Sequence, residues 1–365
     1  MQISPLIFEP IYRHKVWGGR NLERVLGKML PPGEAIGESW ECADVESAQS
    51  VVARGPAKGR SLRELVAEWG AGLTGRAELC EGRFPLLIKF LDATEALSIQ
   101  VHPGDGADEA SGRKKHEAWF VLDAAPGAVA YRGLASGVTL DHFREVCRRE
   151  PQRVPELLNK IGVRAGDTFY VPGGTVHALG AGVVVAEVQT PSEVTYRLYD
   201  WGRTRAAEDG GLNVEKGLAC VRADADWAAC ERRSHVTSFF TTVTRLVSCP
   251  RFVIERVRFS GEMEQEIPYA ELVCWMVLEG RGEIAYGKGG VESFGRGEVV
   301  VLPAGLEKPK LRTKTDCVWL EVTVPVKSDL AGYEHPDAAA LRAAEGGPGA
   351  PVQINISRLH RPTNR

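Results

Sequence analysis

A chain of 365 residues with 44% hydrophobic and 25% charged residues suits two modest domains or one elaborated one. Its net charge of −3 gives no basic footprint for nucleic acid, and no apolar run reaches membrane-spanning length. The opening MQISPLIFEPIYRHKVWGG lacks the basic, apolar, small-residue order of a secretion signal, so we expect a soluble cytoplasmic protein with neither membrane nor nucleic-acid partners. Eight cysteines stand far apart with no CxxC pair, which reads as reduced, structural thiols.

The first helical pattern is SLRELVAEWGAGL at 61–73. PLLIKFLDA follows, with Lys89 inside an apolar strand, where an ammonium needs a partner. In ALSIQVHPGD, Ser98, Gln100 and His102 are spaced by two and share one strand face. In KKHEAWFVLDA, Lys115 and Glu117 share the next strand's inward face, while Lys114 and His116 read as solvated neighbours. Leu140, Phe143, Val146, Val154, Leu157, Leu158 and Ile161 give 138–161 a helical spacing. GDTFYVPGGTVHALG then fits G-x5-P-x-G-x2-H, the second signature of a cupin barrel, through Gly166, Pro172, Gly174 and His177. A last helical stretch is NVEKGLACVRA at 213–223. One Gln, one Glu and two His converging in a barrel make a divalent-metal site with an open position for substrate.

A weak internal repeat organises the chain. AWFVLDAAPGAVAY (118–131) matches CWMVLEGRGEIAY (274–286), with Trp119 over Trp275, and GDTFYVPGG (166–174) matches GEVVVLPAG (297–305). The Trp-to-Gly interval is 47 residues in the first copy and 22 in the second, which places an insertion in the first, at about 138–161. We expect a mainly β fold: two cupin (jelly-roll) barrels with a helical insertion in the first. The expected domains are a catalytic one at 1–245, a second at 246–325 and an Ala/Gly/Pro-rich, loosely packed tail at 326–365. Val273 stands opposite Glu117 and Lys308 opposite His177, so the second barrel lacks this metal set.

The segments PLIFEPIYRHKVWGGRNL, IGESWECAD, FPLLIKFLDATEALSIQVHPGD, KKHEAWFVLDAAPGAVAYRG and GDTFYVPGGTVHALGAGVVVAEVQTPSEVTYRLYDWGR resemble, in order, the type I phosphomannose isomerases, particularly their short bacterial members. The resemblance implies a zinc-dependent aldose–ketose isomerase interconverting mannose 6-phosphate and fructose 6-phosphate, with one zinc per chain and a phosphosugar as partner. It implies Gln100, His102, Glu117 and His177 as metal ligands, the short members being usually described with only the two His and the Glu. It implies Arg197, Lys115, Glu187 and Glu193 as catalytic and Ser98 and Lys89 as substrate-binding. Glu193 departs from the bacterial pattern, which often has Asp there; the extra methylene shifts the carboxylate by about 1.5 Å, enough to matter for proton transfer. The alternatives are an isomerase of another sugar or phosphosugar on the same fold, a non-catalytic metal-bearing sugar-binding cupin, and, more weakly, an Fe(II) dioxygenase, since two His and a carboxylate also suit iron.

Overall fold

The computed structural model describes residues 2–107, 112–203, 211–223 and 227–326; the tail expected to be loosely packed lies outside the described residues. The chain is mainly β and its strands pair antiparallel in four sheets. A six-stranded sheet runs in the order Ile11–Gly19, Ile36–Cys42, Leu87–Ala93, Val183–Gln189, Glu117–Ala124, Thr168–Val171. A five-stranded sheet runs Tyr196–Tyr199, Ile99–Val101, His177–Leu179, Val129–Leu134, Leu158–Gly162. A seven-stranded sheet runs Leu6–Ile7, Val299–Leu302, Val273–Glu279, Cys317–Thr323, Val253–Phe259, Thr241–Ser248, Ser234–Thr237. A four-stranded sheet runs Glu264–Glu266, Lys310–Thr313, Arg281–Tyr286, Gly290–Gly295.

Side-chain alternation explains how these sheets pack. Leu91, Trp119, Val121, Phe169 and Val185 of the six-stranded sheet share a buried cluster with Ala130 and Leu179 of the five-stranded one. Trp275, Val277, Trp319 and Val300 do the same with Ile284, Phe294 and Leu311. The alternate residues face the other way: Phe90, Phe120, Val184 and Ala186 meet Met276, Val301, Leu320 and Ile254 in the largest cluster, which joins the two halves. Strands such as VVVAEVQ are therefore buried on both faces, and their apolar runs are continuous rather than alternating. Each face moved from water to a core contributes roughly 25 cal/mol per Å² of apolar area.

The helical segments at 140–157 and 214–220 cover the five-stranded sheet's outer face, while Leu62–Trp69 packs in the cluster between the halves. Phe143, Val146, Val154, Leu157 and Leu218 pack on Ile99, Val101 and Leu198. The insertion is not one helix. Thr139 caps Leu140–Arg149 by accepting from His142 N, and Pro151 and Pro155 then limit the chain to a 3₁₀ stretch, Pro151–Leu157. Leu158 and Ile161, read as helical, lie on a strand instead. At 61–73 the capping box of Ser61 with Glu64 starts Leu62–Trp69.

Strand pairing crosses the expected boundaries at two places. Leu6–Ile7 adds to the seven-stranded sheet through Val301 and Val300, so the start of the chain belongs with the second half. A boundary at 245 cuts the strand Thr241–Ser248. No helix of the described residues is long and apolar enough to cross a membrane. All eight cysteines are free thiols.

Candidate metal centre

The signature glycines bring two distant loops together. Gly174 N donates to His102 O at 2.8 Å, and a Cβ on Gly173 would meet Pro103 O at 2.4 Å. Gly174 itself turns at φ +91°, a conformation that side chains resist. His177 then pairs across the sheet with Gln100, and Arg197 pairs with Gln100 from the other side. Tyr196 and Leu198 face the outer helical cluster, so Arg197 lies on the opposite face of its strand, the one Gln100 occupies.

Glu117 forms the centre. His102 Nε2 lies 3.3 Å from its Oε2, His177 Nε2 lies 3.1 Å from its Oε1, and all three residues are essentially inaccessible to solvent. The far ring nitrogens are anchored to the backbone: Nδ1 of His102 donates to Val194 O at 2.8 Å and Nδ1 of His177 donates to Thr175 O at 2.9 Å. Those bonds aim both Nε2 lone pairs at the carboxylate. One ligand atom from each of the three residues falls within 4.8 Å of the others, and this is the one such group found among the described residues.

Charge reinforces the arrangement. Lys115 Nζ is 2.9 Å from Glu117 Oε2 and donates to His102 Nε2 at 3.2 Å. Burial pushes the His102 pKa down, with Lys115 adding to it, to about 3, which keeps the imidazole neutral. Burial works to raise Glu117, but Lys115, His102 and His177 outweigh it and hold the carboxyl well below its usual range. Neither carboxylate oxygen receives a hydrogen bond of good geometry, although Lys115 stands close. Two backbone-anchored imidazoles and an ionised, under-bonded carboxylate, all buried, are a donor set that fits a divalent cation. The Gln100 amide reaches this group, its Nε2 lying 3.2 Å from His177 Nε2. Ser98, buried beside it, donates to Gln100 Oε1 at 3.3 Å. A half-turn of the amide exchanges its nitrogen and oxygen.

A second charged row lies on the same face of the six-stranded sheet. Lys89 Nζ sits 3.3 Å from Glu187 Oε1 and 3.7 Å from Glu38 Oε2. Burial raises the Glu187 pKa against the opposing pull of Lys89, and Glu117 adds to the rise. The sequence pattern does not mark Glu38. Burial raises it, but Lys89 and Lys15 bring it down to about 2, and Trp40 Nε1 donates to it at 2.6 Å. Its signal was present in ESWEC, where Glu38 and Trp40 share a face, but a carboxylate in a strand names no partner by itself.

Two expectations meet a different environment. Glu193 is exposed, and its carboxylate accepts from Ser47 Oγ and, at 3.2 Å, from Ser47 N. It touches the cluster only through its neighbour Val194, whose carbonyl holds His102. His116 is buried rather than solvated: it faces Tyr170 Oη and lies 3.5 Å from Asp105.

Residues 6–124 match the family described as phosphomannose isomerase type I, catalytic domain. The mannose-6-phosphate isomerase ManA of Bacillus subtilis is 34% identical over 326 residues, spanning 87% of this chain and 99% of that protein. The chain belongs to the type I phosphomannose isomerase family. A second family member, the mannose-6-phosphate isomerase of Streptococcus mutans, is 35% identical over 82% of this chain and 92% of its own length. The crystal structure of the mannose 6-phosphate isomerase from Bacillus subtilis superposes with a TM-score of 0.77 at 29% identity, covering 88% of this chain and all of that one. Two of the three cluster residues, His102 and Glu117, lie within the matched residues, and His177 lies beyond them.

Proposed function

We propose that this protein is a metal-dependent aldose–ketose isomerase that interconverts mannose 6-phosphate and fructose 6-phosphate in the cytoplasm. Family membership supports the reaction, and one observation supports the chemistry: two backbone-anchored imidazoles aim their Nε2 atoms at one buried carboxylate. His102, Glu117 and His177 would hold one zinc ion per chain, with the turned Gln100 amide as a fourth, weaker donor. Zinc in that position supplies Lewis-acid polarisation of a carbonyl oxygen.

The remaining residues do the proton work. Glu187 carries a raised pKa, and its Oε1 lacks a hydrogen bond of good geometry, which suits a group that takes a proton from C2 and returns it at C1 through a cis-enediol. Trp119 Nε1 fixes its other oxygen at 3.0 Å. Lys115 is placed to stabilise charge that develops on the sugar oxygens. Arg197, on the Gln100 side of its strand, supplies a planar two-pronged donor for an enediolate oxygen or the phosphate. Ser98 and Lys89 line the substrate face, while Glu193 acts as a positioning residue that steadies the Ser47 loop and the Val194 carbonyl. The first sheet pair carries the site; the second, with Val273 and Lys308 at the corresponding positions, is its support.

A coupled assay of mannose 6-phosphate to fructose 6-phosphate, run with and without chelator beside metal analysis, tests this reading. Activity that tracks one bound zinc per chain is the expected result. Turnover untouched after complete metal removal, or metal bound without any turnover, would overturn it.

A further inference from the structure

On the side of Glu117–Ala124 away from the metal cluster, the two halves leave a cleft of about 860 Å³. Glu117 and Trp119 point to one face of that strand and Phe120 to the other, so the cleft and the metal centre do not share side chains. Phe120, Leu278 and Val318 give the cleft an apolar floor. Its rim carries four arginines, Arg164, Arg233, Arg256 and Arg296, against two acids, Asp167 and Glu279.

The charges do not cancel. Asp167 is engaged by Arg164, whose Nε lies 3.6 Å from Oδ1 and whose backbone N donates to Oδ2 at 2.9 Å. Arg233 donates to Gly166 O at 3.2 Å and Arg296 donates to Arg24 O at 2.9 Å. Carbonyls hold those guanidiniums in place without neutralising them. Arg256 is turned to the cleft because Ile254 packs in the cluster between the halves while Val257 and Phe259 face the inner core. Among the described residues, Arg233, Arg256 and Arg296 form no ion pair, and only Glu279 opposes them. Like charges gathered at one rim repel one another, and a dianion among them relieves that repulsion and accepts several charge-assisted hydrogen bonds.

We propose that this cleft binds a small organic phosphate, its phosphate dianion among Arg233, Arg256 and Arg296 and its apolar body on the Phe120–Leu278 floor. The site is separate from the isomerase centre. A ligand there touches both halves and binds only the folded chain, so it raises the unfolding temperature.

Adenosine monophosphate and inorganic phosphate serve as probes, each titrated calorimetrically at fixed ionic strength into wild type and into the variants, with no sugar phosphate present. The expected result is that adenosine monophosphate binds wild type more tightly than inorganic phosphate does. The Arg233→Gln/Arg256→Gln double variant should lose about tenfold or more in affinity, with isomerase KM unchanged. Glu279→Gln, which removes the opposing charge, should tighten binding about threefold or more. No binding to wild type, or equal affinity in the double variant, would overturn the proposal. Inorganic phosphate binding as tightly as adenosine monophosphate would overturn the role of the apolar floor. Should the double variant fail to fold, Glu279→Gln decides: unchanged affinity there also refutes the site.

Discussion

Trp119 donates its indole N–H to Glu187 at 3.0 Å from the neighbouring strand, and Trp275 makes the same bond to Glu321 at 3.0 Å in the other half. The repeat legible in the two Trp segments thus extends to a buried carboxyl in each half. Their surroundings differ. Glu321 receives further bonds from Tyr269 and Trp319, all from neutral donors, whereas Glu187 has Lys89 at 3.3 Å. All three donors to Glu321 meet its Oε2 and none is charged, whereas the Glu187 carboxyl has one neutral donor, on Oε2, and turns its Oε1 toward a lysine; the charged neighbour is what sets Glu187 apart.

Glu187→Gln should separate these roles. The amide oxygen still accepts from Trp119, so the fold and the bound metal persist, but the group no longer takes a proton. We predict a fall in kcat of about a hundredfold or more with KM little changed. Wild-type turnover in this variant would remove Glu187 as the base.

His102→Ala and His177→Ala each delete a nitrogen aimed at Glu117. Metal content should drop well below one per chain and activity with it, while circular dichroism stays that of a folded β protein. Retention of stoichiometric metal after dialysis in either variant would show that the ligand set is different.

Glu193→Gln should be mild. An exposed carboxylate bonded to Ser47 contributes about 1 kcal/mol at most. Turnover should stay within about fivefold of wild type, an effect carried through the position of Val194 and His102. A loss of kcat comparable to that of Glu187→Gln would return Glu193 to the reacting centre.

Arg197→Lys keeps the charge and loses the planar fork. Metal content should be unchanged while kcat/KM falls by about tenfold or more. Equal efficiency with wild type would place Arg197 outside the substrate's reach.

Glu38 gives a pH signature. Its folded pKa is held near 2, below the ordinary 4.5, so the unfolded chain binds the proton more readily. The stabilisation is present above pH 4.5 and is lost as pH falls toward 2. Urea midpoints measured across that window should decline more steeply for wild type than for Glu38→Gln, which is less stable at neutral pH but has no such proton to take up. Parallel curves would show that Lys89 and Lys15 do not hold Glu38 ionised.

The sequence alone determined the family, the mainly β class, the internal repeat and the residues that form the cluster, because these depend on local pattern. A spacing of two puts Gln100 with His102 and Lys115 with Glu117, and P-x-G-x2-H requires the tight turn at Gly174 that delivers His177. Only the tertiary structure decided what depends on meetings across the sheets. Backbone carbonyls from Val194 and Thr175 fix which nitrogen each histidine presents, Ser47 draws the Glu193 carboxylate away, and Lys15 and Lys89 hold Glu38 as a partly buried anion. Leu6–Ile7 joins the second half for the same reason: an edge strand takes whichever partner leaves its hydrogen-bonding groups satisfied, and no periodicity within the chain names that partner.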